Sequence, residues 1–134
     1  MTQRSLLITG CSSGIGYDAA HGMAKRGWRV FATCRNPDDV ARLRDEGLEC
    51  FHLDYRDSDT IRSALSAVLE ATGGTLDALY NNGAVALPGA NEDLPREALA
   101  LVMETNLYGV VRLTGALLPS MVERGSGAVV NIAS

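Results

Sequence analysis

Lysine is nearly missing from this chain: of its 12 basic residues only Lys25 is not arginine, and 16 acidic residues outweigh them. The net charge of −4 leaves no concentrated basic face of the kind a phosphate backbone requires, so nucleic acid is not an expected partner. No apolar run reaches the roughly 18 residues of a membrane span. The opening Met1-Thr2-Gln3-Arg4 leads straight into a strand-length apolar stretch, too short for a secretory signal, so no membrane association is expected. Cysteine is scarce and odd in number. Cys11, Cys34 and Cys50 show no metal-ligand spacing, which argues against a disulfide framework or a metal site and for a reducing, cytoplasmic setting. The two histidines, His21 and His52, have no neighbours that suggest chemistry and read as structural.

Glycine, by contrast, is plentiful where it matters. The stretch Leu6-Leu7-Ile8-Thr9-Gly10-Cys11-Ser12-Ser13-Gly14-Ile15-Gly16 is an apolar strand that ends in a glycine turn and opens a helix. In a dinucleotide-binding unit three such glycines divide the work. Gly10 permits the tight turn, Gly14 lets the backbone approach a pyrophosphate, and Gly16 lets the new helix sit close to the strand. The amides at the helix start, with their partial positive charge, form an anion site. Cys11 lies within this turn. Helix amides could lower its pKa, but a small residue that fills the turn is the favoured reading.

The rest of the chain alternates strand and helix. Strands are expected at Ser5 to Thr9, Arg29 to Cys34, Leu48 to Leu53, Leu76 to Tyr80 and Ala128 to Ile132. The first helix spans Ile15 to Arg26, with Ile15, Ala19, Ala20, Met23 and Ala24 on one face and Gly27 as its stop. Asn36-Pro37-Asp38-Asp39 starts a short helix in sequence form: a cap, a proline in the first turn, and two acids at the positive dipole end. From Ser58 to Thr72, Ile61, Ala64, Leu65, Val68 and Leu69 mark a clean amphipathic helix. A polar loop to Asp93 leads into one long helix from Pro95 to Glu123, which Pro119 is expected to bend. Val129, Val130 and Ile132 make the fifth strand nearly all apolar, the character of a strand paired and covered on both sides, yet a bare edge is expected here and nothing in Ala128 to Ser134 supplies the Lys or Pro that would blunt it. Five such alternations predict right-handed crossovers and a doubly wound parallel α/β sheet of Rossmann type, order 3-2-1-4-5, as one domain over 1–134.

The glycine pattern, Thr9-Gly10-x-x-x-Gly14-Ile15-Gly16, has two residues more in its turn than the common dinucleotide fingerprint, and it resembles the short-chain dehydrogenase/reductase family. Further marks follow in the right order: Leu53-Asp54, Asn81-Asn82-Gly83-Ala84, Thr105-Asn106 and Val130-Asn131-Ile132-Ala133-Ser134. The resemblance covers essentially the whole chain. It implies reversible hydride transfer between a nicotinamide cofactor and a small carbonyl or alcohol substrate, with a lean toward the hydroxysteroid and retinol dehydrogenase branch. Gly10, Ser12, Ser13, Gly14, Ile15 and Gly16 would then bind the cofactor, with Asp54 on the adenine edge and Asn82 and Gly83 near the ribose. Asn106 would disturb its helix and position a water in a proton relay, and Ser134 would hydrogen-bond the substrate oxygen. Read alone, these are also ordinary residues: a turn acid, a helix-surface amide, a turn serine. The family usually shows Asn-Asn-Ala-Gly, and here the last pair is reversed.

The end of the second strand bears on cofactor choice. An enzyme selective for NAD usually presents an acid there. This chain has Cys34 and Arg35, and a guanidinium suits a 2′-phosphate. NADP(H) is therefore expected over NAD(H), with Ser13 adding a hydroxyl. In the family the base is a tyrosine about thirteen residues past the serine, with a lysine four further on that lowers its pKa. Tyr17, Tyr55, Tyr80 and Tyr108 lack a lysine at that spacing, and Tyr108 with Arg112 precedes the serine. The chain thus reads as a truncated cofactor-binding portion, inactive alone and expected to form homo-oligomers through Pro95–Glu123, through the open edge of the fifth strand, or both. A non-catalytic NADP(H)-binding or interaction module is the alternative.

Overall fold

The computed structural model describes residues 3–133. It contains β1 (Ser5–Ile8), α1 (Gly14–Lys25), β2 (Arg29–Cys34), α2 (Pro37–Asp45), β3 (Glu49–His52), α3 (Ser58–Thr72) and β4 (Ala78–Asn81). A 3₁₀ turn at Asn91–Asp93 precedes α4 (Arg96–Met103), a π-helical segment at Glu104–Tyr108, α5 (Gly109–Arg124) and β5 (Ala128–Asn131). All strand pairs are parallel, and the sheet order is β3-β2-β1-β4-β5.

β1 is central and alternates its side chains between two cores. Leu6 and Ile8 join Ala20, Val30, Ala32, Val40 and Leu43 on the α1–α2 face. Leu7 joins Phe31, Ile61, Val68, Leu79, Leu113 and Leu117 on the α3–α5 face. The period-2 alternation of a strand explains why such continuous apolar runs are needed when both faces are covered.

Local chemistry sets the helix ends. The Asn36 side chain accepts from the Asp38 amide and Pro37 opens α2. Asp57 caps α3 through the Asp59 amide, and Gly73 closes it at φ 63°, in the left-handed region that favours glycine. At the end of the sheet opposite the glycine turn, Asp77 accepts from the Ser5 amide at 2.8 Å and pairs with Arg124 at 3.3 Å.

One expectation is corrected. Ile15 does not join the buried face of α1; it is 62% exposed, and Gly16 and Ala20 are the buried residues of that helix. The long helical region runs from Arg96 to Arg124, as expected, and its α geometry widens to a π turn in the segment that holds Asn106. The fifth strand lies at the open edge of the sheet, as expected: only β4 pairs with it, Val130 is 43% exposed, and Ile132 just beyond it is 45% exposed. Beside it, a mainly apolar recess of about 460 Å³ opens between α1 and the β4–β5 side of the sheet, lined by residues such as Met23, Trp28, Tyr80 and Val130. Among the described residues no helix is long and apolar enough to cross a membrane, and no cluster could hold a metal ion.

Candidate functional site

The crevice lies at the carboxyl ends of the strands, where the chain winds one way from β1 to β2 and the other way to β4. Its walls include Thr9, Gly10 and Ser12 of the glycine turn, Arg35, Leu53–Tyr55 after β3, Gly83–Val85 after β4, and Thr105 of the π segment.

The turn is built by close approach. A Cβ on Gly10 would stand 2.7 Å from the Gly83 Cα, and one on Gly16 would stand 2.2 Å from the Gly10 carbonyl oxygen. Both positions therefore require glycine, one for the neighbouring strand end and one for the seating of α1. Gly14 has φ 60° and open space around it, as a backbone reserved for approach from outside demands. Ser13 caps α1 by its backbone alone, with its side chain uncommitted, and the first turn of α1 carries no acid. Arg42 donates to the Ser12 carbonyl at 2.6 Å and so ties α2 to the turn.

Beneath the turn lies a hydrogen-bond chain with a forced direction. The Thr9 hydroxyl oxygen accepts from the amides of Asn82 (3.0 Å) and Gly83 (2.9 Å). The Tyr55 hydroxyl donates to Asn81 Oδ1 at 2.6 Å, which leaves it to accept from Thr9 at 2.8 Å. Asn81 Nδ2 then donates to Asn131 Oδ1 at 3.0 Å and Thr114 Oγ1 at 3.1 Å. One hydrogen-bond chain, buried at Thr9, Tyr55 and Asn81, thus joins the end of β1, the β3–α3 loop, β4, β5 and α5. Burial, partly countered by the Thr9 hydrogen bond, pushes the Tyr55 phenol up to about 12.

Tyr55 was not singled out from the sequence. Its only trace there is the reversed Gly83-Ala84: a Cβ at position 83 would meet the Tyr55 ring at 3.0 Å, so the ring takes the room that an alanine would use.

The other expected residues fall as follows. Asp54 reaches the crevice but is engaged by Arg56, which donates from its amide at 2.9 Å and its guanidinium at 3.2 Å. Burial opposes the charged form of Asp54, but those bonds outweigh it and hold the carboxyl below its ordinary value. Asn82 Nδ2 donates to the carbonyls of Thr9 (3.2 Å) and Gly10 (3.1 Å), bracing the turn from below. Arg35 is exposed at the crevice and makes no ion pair or hydrogen bond among the described residues. Asn106 grips Val85 twice, accepting from its amide at 2.9 Å and donating to its carbonyl at 2.8 Å. Ser134 lies outside the described residues. Cys11 is fully buried, donates to the Ile8 carbonyl, and its thiol is pushed up to about 12, chiefly by burial; the helix amides do not activate it. His21 bonds Glu46 at 2.9 Å between α1 and α2.

The residues present suit a dinucleotide: a cradle that tolerates no Cβ at Gly10 or Gly16, free backbone at Gly14, and, at the crevice, the Arg35 guanidinium without a partner among the described residues. These features define a Rossmann-type domain with its crevice at the switch point of the sheet. The chain belongs to the short-chain dehydrogenase family of oxidoreductases, whose family model matches residues 4–134. That family binds nicotinamide cofactors.

The chain is 34% identical over 132 residues to the uncharacterized oxidoreductase YbbO of Escherichia coli K12, covering 98% of this chain and 49% of that protein. It is 38% identical over 141 residues to 17-beta-hydroxysteroid dehydrogenase type 1 of Homo sapiens, covering 96% of this chain and 42% of that one. Among solved structures, an actinorhodin polyketide ketoreductase variant with NADPH superposes with a TM-score of 0.88 at 38% identity, over 98% of this chain and 53% of that one. The chain spans about half the length of the curated relatives it matches.

Proposed function

We propose that this domain binds NADP(H) in preference to NAD(H), as the cofactor-holding part of an oxidoreductase for small carbonyl or alcohol substrates. The carrying observation is Arg35, a guanidinium without a protein partner among the described residues, at a strand end where Cys34 stands instead of an acid. The backbone of Gly10, Gly14 and Ile15, with Ser12 and Ser13, would hold the pyrophosphate and 2′-phosphate. Asp54 would meet the adenine edge once it shares its hydrogen bonds with Arg56. Asn82 keeps Oδ1 for the ribose, and Gly83 leaves the backbone bare beside it. Gly16 acts by seating α1. When bound, the nicotinamide gives or takes a hydride.

Asn106, whose side-chain amide fixes the Val85 loop against the π segment, is proposed to take part in a proton relay by the family resemblance, and Ser134 is the proposed contact to the substrate oxygen. Turnover is not proposed for the 134 residues alone. The similarity to the human hydroxysteroid enzyme supports the lean toward that branch. Buried free thiols at Cys11, Cys34 and Cys50 suit a cytoplasmic setting. Self-association through α4, the π segment and α5 is proposed from the apolar side chains they expose, Leu99, Met103, Leu107, Val111, Leu118 and Val122.

Fluorescence titration with NADPH and NADH tests the reading. NADPH should bind more tightly, and Arg35→Ala should erase most of the difference, on the order of 1.5–3 kcal/mol for a charge-assisted contact. Equal affinities in the wild type would overturn it.

A further inference from the structure

Among the described residues, one buried side-chain polar atom lacks a hydrogen-bond partner, the hydroxyl of Thr105. The residue is 7% exposed and forms part of the crevice wall. A buried hydroxyl without a partner is costly, and such groups in native proteins are rare unless something supplies the missing bond.

The polar neighbours in this wall are already committed. The Thr9 hydroxyl is saturated by Asn82, Gly83 and Tyr55, the Tyr55 proton is on Asn81, and both ends of the Asn106 amide are on Val85. The missing partner therefore has to enter through the crevice. The crevice that Thr105 lines is also lined by Arg35 and Asp54. A ligand that places a 2′-phosphate at Arg35 brings its adenosine moiety into this same space.

We propose that the Thr105 hydroxyl is a cofactor contact, hydrogen-bonded to the adenosine moiety of the dinucleotide. The inference rests on the NADP(H) reading and adds a residue to it. The π segment makes the contact possible: its wide turn directs Thr105 into the crevice while the next residue, Asn106, holds Val85.

Thr105→Val removes the hydroxyl and keeps the shape; Thr105→Ser keeps the hydroxyl. The 134-residue chain and both variants are titrated with NADPH and with 2′,5′-ADP, which lacks the nicotinamide half, and their melting temperatures are measured without ligand. Thr105→Val should bind both probes five- to twentyfold more weakly, with the NADPH-to-NADH ratio unchanged and a melting temperature equal to or above the wild type. Thr105→Ser should stay within twofold of the wild type for both probes. A mere structural role gives the opposite pattern, a lower melting temperature with binding unchanged, and would overturn the proposal. So would a Thr105→Val variant that binds like a wild type which itself binds both probes. A wild type that binds neither probe would instead defeat the NADP(H) reading, and this inference with it.

Discussion

β1 and β5 are both short apolar strands, yet they end up in opposite circumstances. All four residues of β1 are buried between β2 and β4, with helices over both faces, whereas β5 has only β4 beside it and just Val129 partly covered. Leu7 is fully buried; Val130 is 43% exposed. Burial is a property of neighbours more than of residues. The consequence reaches the site. Around the end of β1 every contact is constrained by another, down to van der Waals limits, while the outer layer of α4, α5 and β5 has apolar surface to spare.

The sharpest way to break this contrast is one substitution made on each side. Gly16→Ala would force a Cβ to within 2.2 Å of a carbonyl oxygen, so the turn and α1 must separate. It should cost about 3 kcal/mol in urea unfolding and abolish NADPH binding. Gly115→Ala in α5 meets nothing within 4 Å and should instead stabilise by ~0.5–1 kcal/mol.

Tyr55→Phe comes next. It leaves the Thr9 donor and the Asn81 acceptor unpaired and should cost ~1–3 kcal/mol. It also carries a pH signature. Burial raises the Tyr55 phenol from 10.0 to about 12, so the folded state keeps a proton that the unfolded state releases. That contribution is fully present below pH 10.0 and is lost as pH rises toward about 12. The buried Cys11 thiol, raised from 9.0 to about 12, adds a loss that begins earlier. Urea unfolding across this range should show a shallower alkaline decline in Tyr55→Phe than in the wild type, and parallel declines would refute the assignment.

The smallest effect on folding is expected on the outer layer. Val111→Lys and Val122→Lys alter side chains 60% and 75% exposed and should each change stability by less than about 0.5 kcal/mol. They should nonetheless disperse the proposed self-association, which light scattering at micromolar concentration would read directly.

Much of this was legible in the chain. α3 falls at Ser58–Thr72 and β2 at Arg29–Cys34, as expected, because caps, glycine stops and periodicity agree there. The sheet order followed from alternation, and the turn from its glycines. What was hidden depends on contacts between distant segments. The apolar stripe from Leu107 to Val122 reads as one helix, since nothing local reveals that Gly109 sits so close to Tyr55 that an added Cβ would stand 2.3 Å from the Tyr55 Cβ, or that Asn106 will seize Val85. Asp54 carries no local sign that Arg56, two residues on, will engage its carboxylate. Ile15 kept the helical spacing of a core residue but lies in the first turn, ahead of the sheet that would bury it.

The π segment between α4 and α5 has one more consequence. A π turn takes up one residue more than an α turn, so the flanking helices keep the rotational phase that a shorter, uninterrupted helix would have. The surplus residue is absorbed where it occurs, and Leu113, Leu117 and Met121 still face the core. Two adjacent side chains, Thr105 and Asn106, are thereby released from the helix's own periodicity and serve the crevice instead. This stretch of wall has the adaptability of a loop while anchored at both ends like a helix, and its side chains can change without turning either neighbour.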